Sequence, residues 1–338
     1  MAESLRLGLV GAGAIAQSYF KATENCDEVR WVGIADVRAD AAAAAAESIG
    51  CNAYRSHEEL IERGNCDAVV ICTPPATHTT IALDLIANGI NVMCEKPLAT
   101  DVANARRVCD AARDKGVVMA MASKFRYVDD VIRAKSLIAS GVLGDILLME
   151  NAFTSNVKMG QRWNANPEVS GGGVLIDNGT HSVDIVRYLL GPIDRVLAVE
   201  GKRIQSPAVE DTATVFLATE SGVSASIDLS WSLNKELDTY IKVFGSNGTI
   251  FVGWRESKFR QASSPEWTVF GHGYDKVMAF RRQILNFCRG ILGLESLLIS
   301  TADAVASVEA IRAAYESLQQ GRWVRLASVS AAPTLVAV

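Results

Sequence analysis

The first part of the chain alternates short apolar runs with segments of helical period. The apolar runs are almost unbroken, which is typical of strands buried on both faces of a parallel sheet. Segments of helical period separate them, and Gly50 ends an alanine-rich one, so the pattern predicts a doubly wound α/β domain. Its predicted strands are LRLGLV (5–10), VRWVGIAD (29–36), DAVVIC (67–72), INVMC (90–94) and VVMAMA (117–122).

The pattern changes after about residue 125. Consecutive strands then follow with short links, and Asn247-Gly248 is a strong signal for a tight turn between two of them. Strands joined in this way form a largely antiparallel sheet. The pattern therefore predicts a second α/β domain with a large, mostly antiparallel open sheet. Its predicted strands are 145–157, 195–204, 211–219, 223–232 and 239–245, and its predicted helices are 128–139, 174–190, 275–290 and 302–320.

These two patterns divide the chain into two predicted domains. Residues 1–123 make the first domain and residues 124–326 make the second, with a tail at 327–338. The last helix, about 302–320, is a candidate to pack back on the first domain. With 338 residues the chain is long enough for two domains of ordinary size.

The composition is that of a folded protein with a sizeable core. Hydrophobic residues make up 49% of the chain and charged residues 21%, which argues against disorder. The net charge is −5 and no run of lysine or arginine occurs, so nucleic acid and anionic membranes are excluded as expected partners. No apolar run approaches the roughly 20 residues that span a bilayer, and a strand begins at residue 5, before a signal peptide could be accommodated.

Seven cysteines are scattered through the sequence without C-x-x-C spacing. Several lie inside apolar runs, such as Cys72 and Cys94, so we expect reduced, core-like thiols and a cytoplasmic protein. The same spacing argues against a zinc site. With only four histidines as well, no metal is expected.

The segment VGAGAIA, residues 10–16, has the features of a dinucleotide-binding turn. It follows the first strand directly and opens a helix. Gly11 allows the tight turn, Gly13 allows close approach of a diphosphate, and Ala16 is the third small residue. We expect the backbone of Gly11, Gly13, Ala14 and Ile15 to bind the diphosphate, since amide groups at a helix N-terminus favour anions.

Asp36 ends the second predicted strand, at the position where a carboxylate binds the adenosine ribose. A carboxylate there accepts hydrogen bonds from both ribose hydroxyls and repels a 2′-phosphate, which favours NAD. Arg38 lies two residues further on and could receive a 2′-phosphate, so NADP stays open. The alternative for Asp36 is an ordinary turn residue at a strand end.

Candidate catalytic residues occur in two separate segments. Lys96 stands between Glu95 and Pro97 after a parallel strand, where α/β sheets bind ligands. Asp177 and His181 are spaced i, i+4 on a predicted helix, so both project from one face. A lysine can stabilise a developing alkoxide and a histidine can exchange the substrate proton. Asp177 and Asp184 are candidates to bind a second hydroxyl or to orient the imidazole. The alternatives are a solvated loop lysine and a core histidine with Asp177 as a helix cap.

The chain resembles the glucose–fructose oxidoreductase/inositol dehydrogenase/rhizopine catabolism (Gfo/Idh/MocA) family. The matching segments are GAGAIA, ADVRAD, TPPATH, EKPLAT, GGGVLIDNGTHSVD, VEDTATVFLATESGVSASIDLSWS and ASVEAIRAAYESLQQGRWVRL. The resemblance covers nearly the whole chain, and the EKP and D-x-G-x-H-x-x-D motifs are specific as a pair. It implies an N-terminal Rossmann NAD(P)-binding domain and a C-terminal domain that binds substrate and forms oligomers.

The resemblance also assigns roles to individual residues. Lys96, Asp177 and His181 match the catalytic residues of the family, and they are expected to contact the substrate. Three other residues match the loop beside the nicotinamide ribose, Glu95 and Lys96 match cofactor contacts, and the peptide bond before Pro97 is expected to be cis. The residues of the ribose loop are Thr73, Pro74 and His78.

The chain departs from the family pattern at positions that bear on the substrate. Lys124 and Arg126, in SKFRY, occupy a region where many relatives carry asparagine and arginine. Trp163 belongs to a reversed Arg-Trp pair, and Asn178 stands where an aliphatic residue is common. We expect Lys124, Arg126 and Trp163 to bind substrate. The two cations could face an anionic sugar derivative or be ordinary surface charges, and both interpretations stay open.

The resulting hypothesis is an NAD(P)-dependent oxidoreductase. It transfers a hydride between nicotinamide and a secondary hydroxyl or ketone of a sugar, cyclitol or sugar derivative. The expected assembly is a homo-oligomer, a dimer or tetramer, formed through the C-terminal sheet. Two alternatives share this fold, namely an NAD-dependent glycosidase and a non-catalytic dinucleotide-binding sensor. The sequence leaves the particular sugar and the direction of the reaction open.

Overall fold

A computed structural model describes residues 4–160, 162–205, 208–233, 235 and 237–326. The predicted tail at 327–338 lies outside the described residues. Within them the chain forms two sheets, and none of the helices is long and apolar enough to cross a membrane.

The first sheet is parallel and has six strands in the order β3-β2-β1-β4-β5-β6. This order places the two halves of the sheet on either side of β1 and β4, where a crevice forms at the carboxyl ends of the strands. The strands are β1 (Leu5–Val10), β2 (Val29–Ala35), β3 (Asn52–Tyr54), β4 (Ala68–Ile71), β5 (Asn91–Glu95) and β6 (Met119–Ala122).

The unbroken apolar runs of this sheet are buried, as their pattern predicts. All four residues of β4 and all four of β6 are buried, because helices cover both faces. The short edge strand β3 was not predicted, since its sequence NAY has neither length nor an apolar run. The helices of this part are α1 (Ala14–Ala22), α2 (Ala39–Ile49), α3 (His57–Arg63), α4 (His78–Ala87) and α5 (Val102–Lys115).

The second sheet has nine strands in the order β14-β13-β12-β11-β7-β10-β9-β8-β15. Only β7 and β10 pair in parallel and the other neighbours are antiparallel, which confirms the predicted mostly antiparallel sheet. The strands are β7 (Ile146–Thr154), β8 (Ile193–Glu200), β9 (Thr212–Thr219), β10 (Ser224–Ser230), β11 (Thr239–Gly245), β12 (Gly248–Gly253), β13 (Ser257–Gln261), β14 (Thr268–Gly271) and β15 (Val324–Arg325).

Five helices complete the second part of the chain. The helix predicted at 174–190 is found with those bounds. The glycine run that ends at Gly173 marks its start in the sequence. The helices are α6 (Asp129–Ala139), α7 (Pro167–Ser170), α8 (Val174–Leu190), α9 (Lys276–Ile291) and α10 (Thr301–Gln320).

The last two helices connect the second sheet to the first. Helix α9 packs on α1, and its residues Phe280, Ile284 and Phe287 share a core with the strands of the first sheet. Helix α10 contacts both α5 and α8, and Arg106 of α5 forms an ion pair with Glu309 of α10. These contacts hold the carboxyl edge of the first sheet against the start of α8.

Candidate active site

Lys96 and Asp177 meet across the boundary between the two parts of the chain. Lys96 follows β5 directly, and its peptide bond to Pro97 is cis, as the resemblance implied. Asp177 lies in the first turn of α8. The Lys96 ammonium donates hydrogen bonds to the Asp177 carboxylate Oδ1 at 2.6 Å and to the Asp177 carbonyl oxygen at 2.8 Å. These two bonds fix the direction of the ammonium.

The ion pair lies in a cavity of about 360 Å³ that also contains His181. One turn of α8 separates Asp177 from His181, so both face the same space. The structure thus brings together Lys96, Asp177 and His181, which lie far apart along the chain. The other lining residues are Ile15, Glu95, Lys124, Phe125, Phe153, Thr154, Ser155, Asn178, Trp254 and Phe280.

His181 is buried and neutral. Burial lowers the pKa of the imidazole well below its ordinary value, and the nearby ammonium groups of Lys96 and Lys124 lower it further. Its Nδ1 is buried without a hydrogen-bond partner in the described part of the chain, which leaves Nε2 as the ring nitrogen reached from the cavity. The ring contacts Phe125 edge-on, at 5.0 Å between centroids. A neutral imidazole in this position can accept a proton from a bound hydroxyl.

Glu95 is held at the wall of the same cavity by residues that the sequence did not single out. The Tyr19 hydroxyl donates to Glu95 Oε1 at 2.8 Å, and the Gln283 side-chain amide donates to the Tyr19 oxygen at 2.9 Å. Burial raises the pKa of Glu95, while the bond from Tyr19 and the charge of Lys96 oppose this rise. The chain Gln283–Tyr19–Glu95 runs from α9 through α1 to the end of β5.

The start of α8 is anchored by a second buried carboxylate. Glu210 Oε1 accepts the backbone N–H groups of Gly173 and Leu175, both at 3.0 Å, and the Tyr315 hydroxyl at 2.7 Å. A carboxylate at a helix N-terminus satisfies amide groups that lack a partner and interacts favourably with the helix dipole. Gly172 has a φ of +155°, and a Cβ there would lie 1.9 Å from the Tyr315 hydroxyl. This contact explains the glycine run before the helix.

A larger cavity of about 760 Å³ lies over the glycine turn and the ends of β2 and β4. Gly11 has a φ of +99°, and a Cβ there would lie within 2.9 Å of the backbone of Cys72 and Thr73. Nothing lies within 4 Å of a Cβ placed on Gly13, so this backbone is open to a ligand. Thr73 and Pro74 also line this cavity. The turn therefore fits the diphosphate of a dinucleotide, and α1 begins directly after it at Ala14 and Ile15.

Asp36 lies at the end of β2 in this larger cavity, in the position expected for a ribose contact. Its Oδ2 accepts the backbone N–H of Ala12 and its Oδ1 that of Arg38, both at 2.8 Å. The Arg38 Nε lies 3.5 Å from Oδ1, and the Arg38 side chain is mostly exposed. Each carboxylate oxygen keeps acceptor capacity for a ligand hydroxyl.

Two residues assigned to ligand contacts have other positions. His78, expected beside the nicotinamide ribose, is buried between two loops, with Nδ1 2.8 Å from the Pro97 carbonyl oxygen and Nε2 2.8 Å from that of Thr73. It therefore positions these loops. Trp163, expected in the substrate site, lines the larger cavity instead, because its 3-10 turn lies near the ribose end of the cleft.

The expectation that Arg126 binds substrate is wrong. The Arg126 side chain is 3% exposed, and its guanidinium pairs with Asp184 at 2.7 Å and with Asp303 at 3.2 Å. The 3-10 turn after β6 directs Arg126 away from the cavity, whereas Lys124 lines it. Asp184 accepts from Arg126 and Ser123, so it does not orient His181 as proposed. Asp177 likewise uses its carboxylate on Lys96.

The aromatic walls of the smaller cavity were missed in the sequence. Phe125, Phe153 and Phe280 come from three separate elements, and Trp254 lies in the bend after β12. Local periodicity contains no signal that would distinguish them from core residues. They enclose the space around Lys96 and His181, which strengthens electrostatic interactions there.

Comparison with known proteins supports an oxidoreductase. Residues 5–123 match the family described as "Oxidoreductase family, NAD-binding Rossmann fold", and residues 131–251 match the "GFO/IDH/MocA C-terminal domain". The chain is 28% identical to the rhizopine catabolism protein MocA of Rhizobium meliloti, over 93% of this chain and 95% of the relative. It is also 28% identical to myo-inositol 2-dehydrogenase of Thermotoga maritima, over 73% of this chain and 75% of the relative.

The fold is shared with solved structures over nearly the whole chain. The structure of GenD2 from gentamicin A biosynthesis, in complex with NAD, superposes with a TM-score of 0.86 and 27% identity, covering 97% of this chain and 98% of that one. Levoglucosan dehydrogenase, in complex with NADH and levoglucosan, has a TM-score of 0.88 at 23% identity, covering 96% and 100%. The chain belongs to the GFO/IDH/MocA family of NAD(P)-dependent oxidoreductases.

Proposed function

We propose that this protein is a dehydrogenase that transfers a hydride between a nicotinamide and a secondary hydroxyl of a sugar or cyclitol. The observation that carries the proposal is the meeting of Lys96, Asp177 and His181 in one cavity next to the glycine turn. The relatives named as inositol 2-dehydrogenases and the relative named D-apiose dehydrogenase support this substrate class.

In the direction of oxidation, the Lys96 ammonium donates a hydrogen bond to the reacting oxygen and stabilises the negative charge that develops on it. The neutral His181 takes the hydroxyl proton as the C–O bond becomes a carbonyl. Asp177 orients Lys96 through the 2.6 Å bond. A bound nicotinamide would supply the acceptor for the hydride that leaves the carbon bearing the reacting hydroxyl. In the direction of reduction, the same groups return the proton and polarise the carbonyl.

The cofactor we propose is NAD rather than NADP. Asp36 is fixed by two backbone bonds at the end of β2, and its charge opposes a 2′-phosphate. Arg38 is partly engaged by the same carboxylate. We expect kcat/KM to be higher for NAD⁺ than for NADP⁺. The substitution Asp36→Ser should lower the ratio of these two values or reverse the preference. A wild-type preference for NADP⁺ would contradict the assignment.

We propose a homo-oligomer that forms through the nine-stranded sheet, in the cytoplasm. Val199 is 52% exposed on β8 and Phe216 is 41% exposed on β9, on the outer face of this sheet. Exposed apolar side chains on a broad sheet face favour association. The seven cysteines are free thiols, which favours a reducing compartment. Light scattering coupled to gel filtration tests the assembly, and a monomer at micromolar concentration would exclude it.

The direct test of the activity is NADH formation. The purified protein is incubated with NAD⁺ and a panel of sugars and cyclitols, including myo-inositol, and the reduced nicotinamide is measured. The proposal expects one NADH for each molecule of ketone product. Cleavage of a glycoside without net NADH would favour the glycosidase alternative, and NAD binding without turnover of any substrate would favour the sensor.

A further inference from the structure

Lys124 stands at the same edge of the first sheet as the catalytic lysine. The neighbouring strands β5 and β6 pair Glu95 with Ala122, so Lys96 follows one member of this pair directly. Lys124 opens the 3-10 turn two residues after the other. Both side chains line the smaller cavity. Two ammonium groups therefore face one space of about 360 Å³.

The two ammonium groups differ in their partners. Lys96 is bound by Asp177, whereas Lys124 has no hydrogen-bond or ion-pair partner among the residues that the structure describes. The Lys124 Nζ lies 5.3 Å from the ring centroid of Phe125 and 5.7 Å from that of Phe280. Aromatic rings stabilise a cation, but they leave its hydrogen-bond donors unused.

The surroundings of Lys124 disfavour an unpaired charge. Burial lowers the pKa of Lys124 to about 8, and the ammonium of Lys96 adds to this effect, while Glu95 opposes it. An anion bound beside the ammonium would reverse the penalty. The Asp177 carboxylate is already bound to Lys96 and does not pair with Lys124. The cavity therefore favours a negatively charged ligand group beside Lys124.

We propose that the substrate carries a carboxylate and that the Lys124 ammonium binds it in the cavity that holds Lys96 and His181. This inference rests on the proposed dehydrogenase function and specifies its substrate as a sugar acid. Lys96 then serves the reacting hydroxyl, and Lys124 serves the charged substituent of the same ring.

A carboxylate fits this site better than a phosphate. A phosphate carries a charge of about −1.5 to −2 and favours several donors, such as a guanidinium with other cations. Here the neighbouring Arg126 is buried against Asp184 and Asp303, so Lys124 is the one cation lining the cavity, among the described residues, that is not already paired. A single charge on the ligand matches a single available ammonium.

The test compares sugar acids with their neutral parents in the NAD⁺-loaded enzyme. The probes are D-glucuronate and D-galacturonate, D-glucose and D-galactose, and glucose 6-phosphate. The variants are Lys124→Met, which removes the charge, and Lys124→Arg, which keeps it. Lys276→Met is the matched control, because this exposed ammonium lies on the same Phe280 ring at 5.8 Å but does not line the cavity.

We expect wild-type kcat/KM to be higher for a uronate than for its parent sugar. Lys124→Met should lower kcat/KM for the uronate by about 10- to 100-fold, as the loss of a charge-assisted hydrogen bond predicts. It should lower kcat/KM for the parent sugar less than kcat/KM for the uronate, and it should leave the KM for NAD⁺ within about threefold. Lys124→Arg should retain much of the preference, and Lys276→Met should retain all of it.

Other outcomes would overturn the inference. One is a wild-type kcat/KM that is higher for neutral sugars or for glucose 6-phosphate than for uronates. Another is an equal loss of kcat/KM for uronate and parent sugar in Lys124→Met. A third is a change in this variant that is confined to the KM for NAD⁺. Calorimetric titration of glucuronate into the NADH complex separates this inference from the proposed function. Binding that Lys124→Met abolishes, without turnover, would keep the carboxylate site and reject the dehydrogenase. Absence of uronate binding would reject the site.

Discussion

Individual side chains in the smaller cavity have different roles in the proposed reaction. Lys96 is charged and oriented, His181 is neutral, and Asp177 holds the first of these in place. Burial lowers the pKa of His181, whereas the Lys96 ammonium is held by an adjacent carboxylate. A proton acceptor and a charged donor can then coexist at neutral pH.

Replacement of Lys96 should affect the chemical step rather than cofactor binding. We expect Lys96→Ala to lower kcat by about 10²- to 10³-fold, because one preorganised donor to the developing alkoxide is lost. The Kd for NADH, measured by fluorescence titration, should change little, since the glycine turn and Asp36 lie in the larger cavity. Near-normal turnover in this variant would contradict the assigned role.

The charge of Lys124 should make substrate binding sensitive to alkaline pH. Its pKa is lowered to about 8, so the free ammonium loses its proton as pH rises through that value, and affinity for an anion falls. The charged groups that face it are Glu95, Lys96, Lys276 and Asp177. We expect KM for a uronate to rise between pH 7 and 9, with that for the neutral parent nearly constant. Parallel profiles would contradict the prediction.

At the scale of elements, helix α8 positions half of the site. Its first turn carries Asp177 and its second carries His181, and Glu210 and Tyr315 fix where the helix begins. A shift of this start would move both of these side chains together. The glycine run is needed because Gly172 lies against Tyr315 and Gly173 lies against the backbone of Glu210.

Loss of the Glu210 carboxylate should destabilise the protein. We expect Glu210→Ala to lower the free energy of unfolding by about 2–4 kcal/mol, because two buried N–H groups and a tyrosine hydroxyl lose their acceptor. Urea unfolding followed by circular dichroism measures this. The exposed Glu168→Ala, in α7, is the control and should change stability by less than about 0.5 kcal/mol. Equal effects of the two variants would reject the anchoring role.

The sequence predicted these elements unevenly. Five of the six strands of the first sheet were predicted because their apolar runs are buried on both faces, and α8 was predicted with its observed bounds. The strands β13, β14 and β15 were not predicted, since they are short and their side chains are largely polar or half-exposed. The prediction for Arg126 failed because the sequence does not show which way this side chain points. An arginine that follows a strand at the ligand-binding edge of a sheet can face either a cavity or a buried carboxylate. Only the direction of the 3-10 turn distinguishes the two.

At the scale of the molecule, the two sheets are joined by more than the linking segment. Helix α9 contributes Phe280, Ile284 and Phe287 to the core of the first sheet, and α10 contacts α5 and α8. The buried Arg126–Asp184 pair and Asp303 add a polar connection between the end of β6, α8 and α10. These contacts make independent unfolding of either part unfavourable.

The protein should therefore unfold in one transition. Trp31 reports on the first sheet and Trp231 on the second, so variants that keep one of these two tryptophans as the only indole allow each part to be followed separately. We expect coincident urea midpoints for both probes. A saturating concentration of NADH, at about 100 times its Kd, should stabilise both by about 2.7 kcal/mol. Two separated midpoints would contradict this picture.

The bond between Lys96 and Asp177 has a consequence for how such enzymes can be recombined. The lysine is supplied by the nucleotide-binding half and its anchor by the other half. In a chimera that joins these halves from different parents, the lysine ammonium is oriented only if the helix of the incoming half places its carboxylate within hydrogen-bonding distance of it. Substrate preference can then be exchanged together with the second half, while hydride transfer depends on whether this one lysine–carboxylate contact is retained.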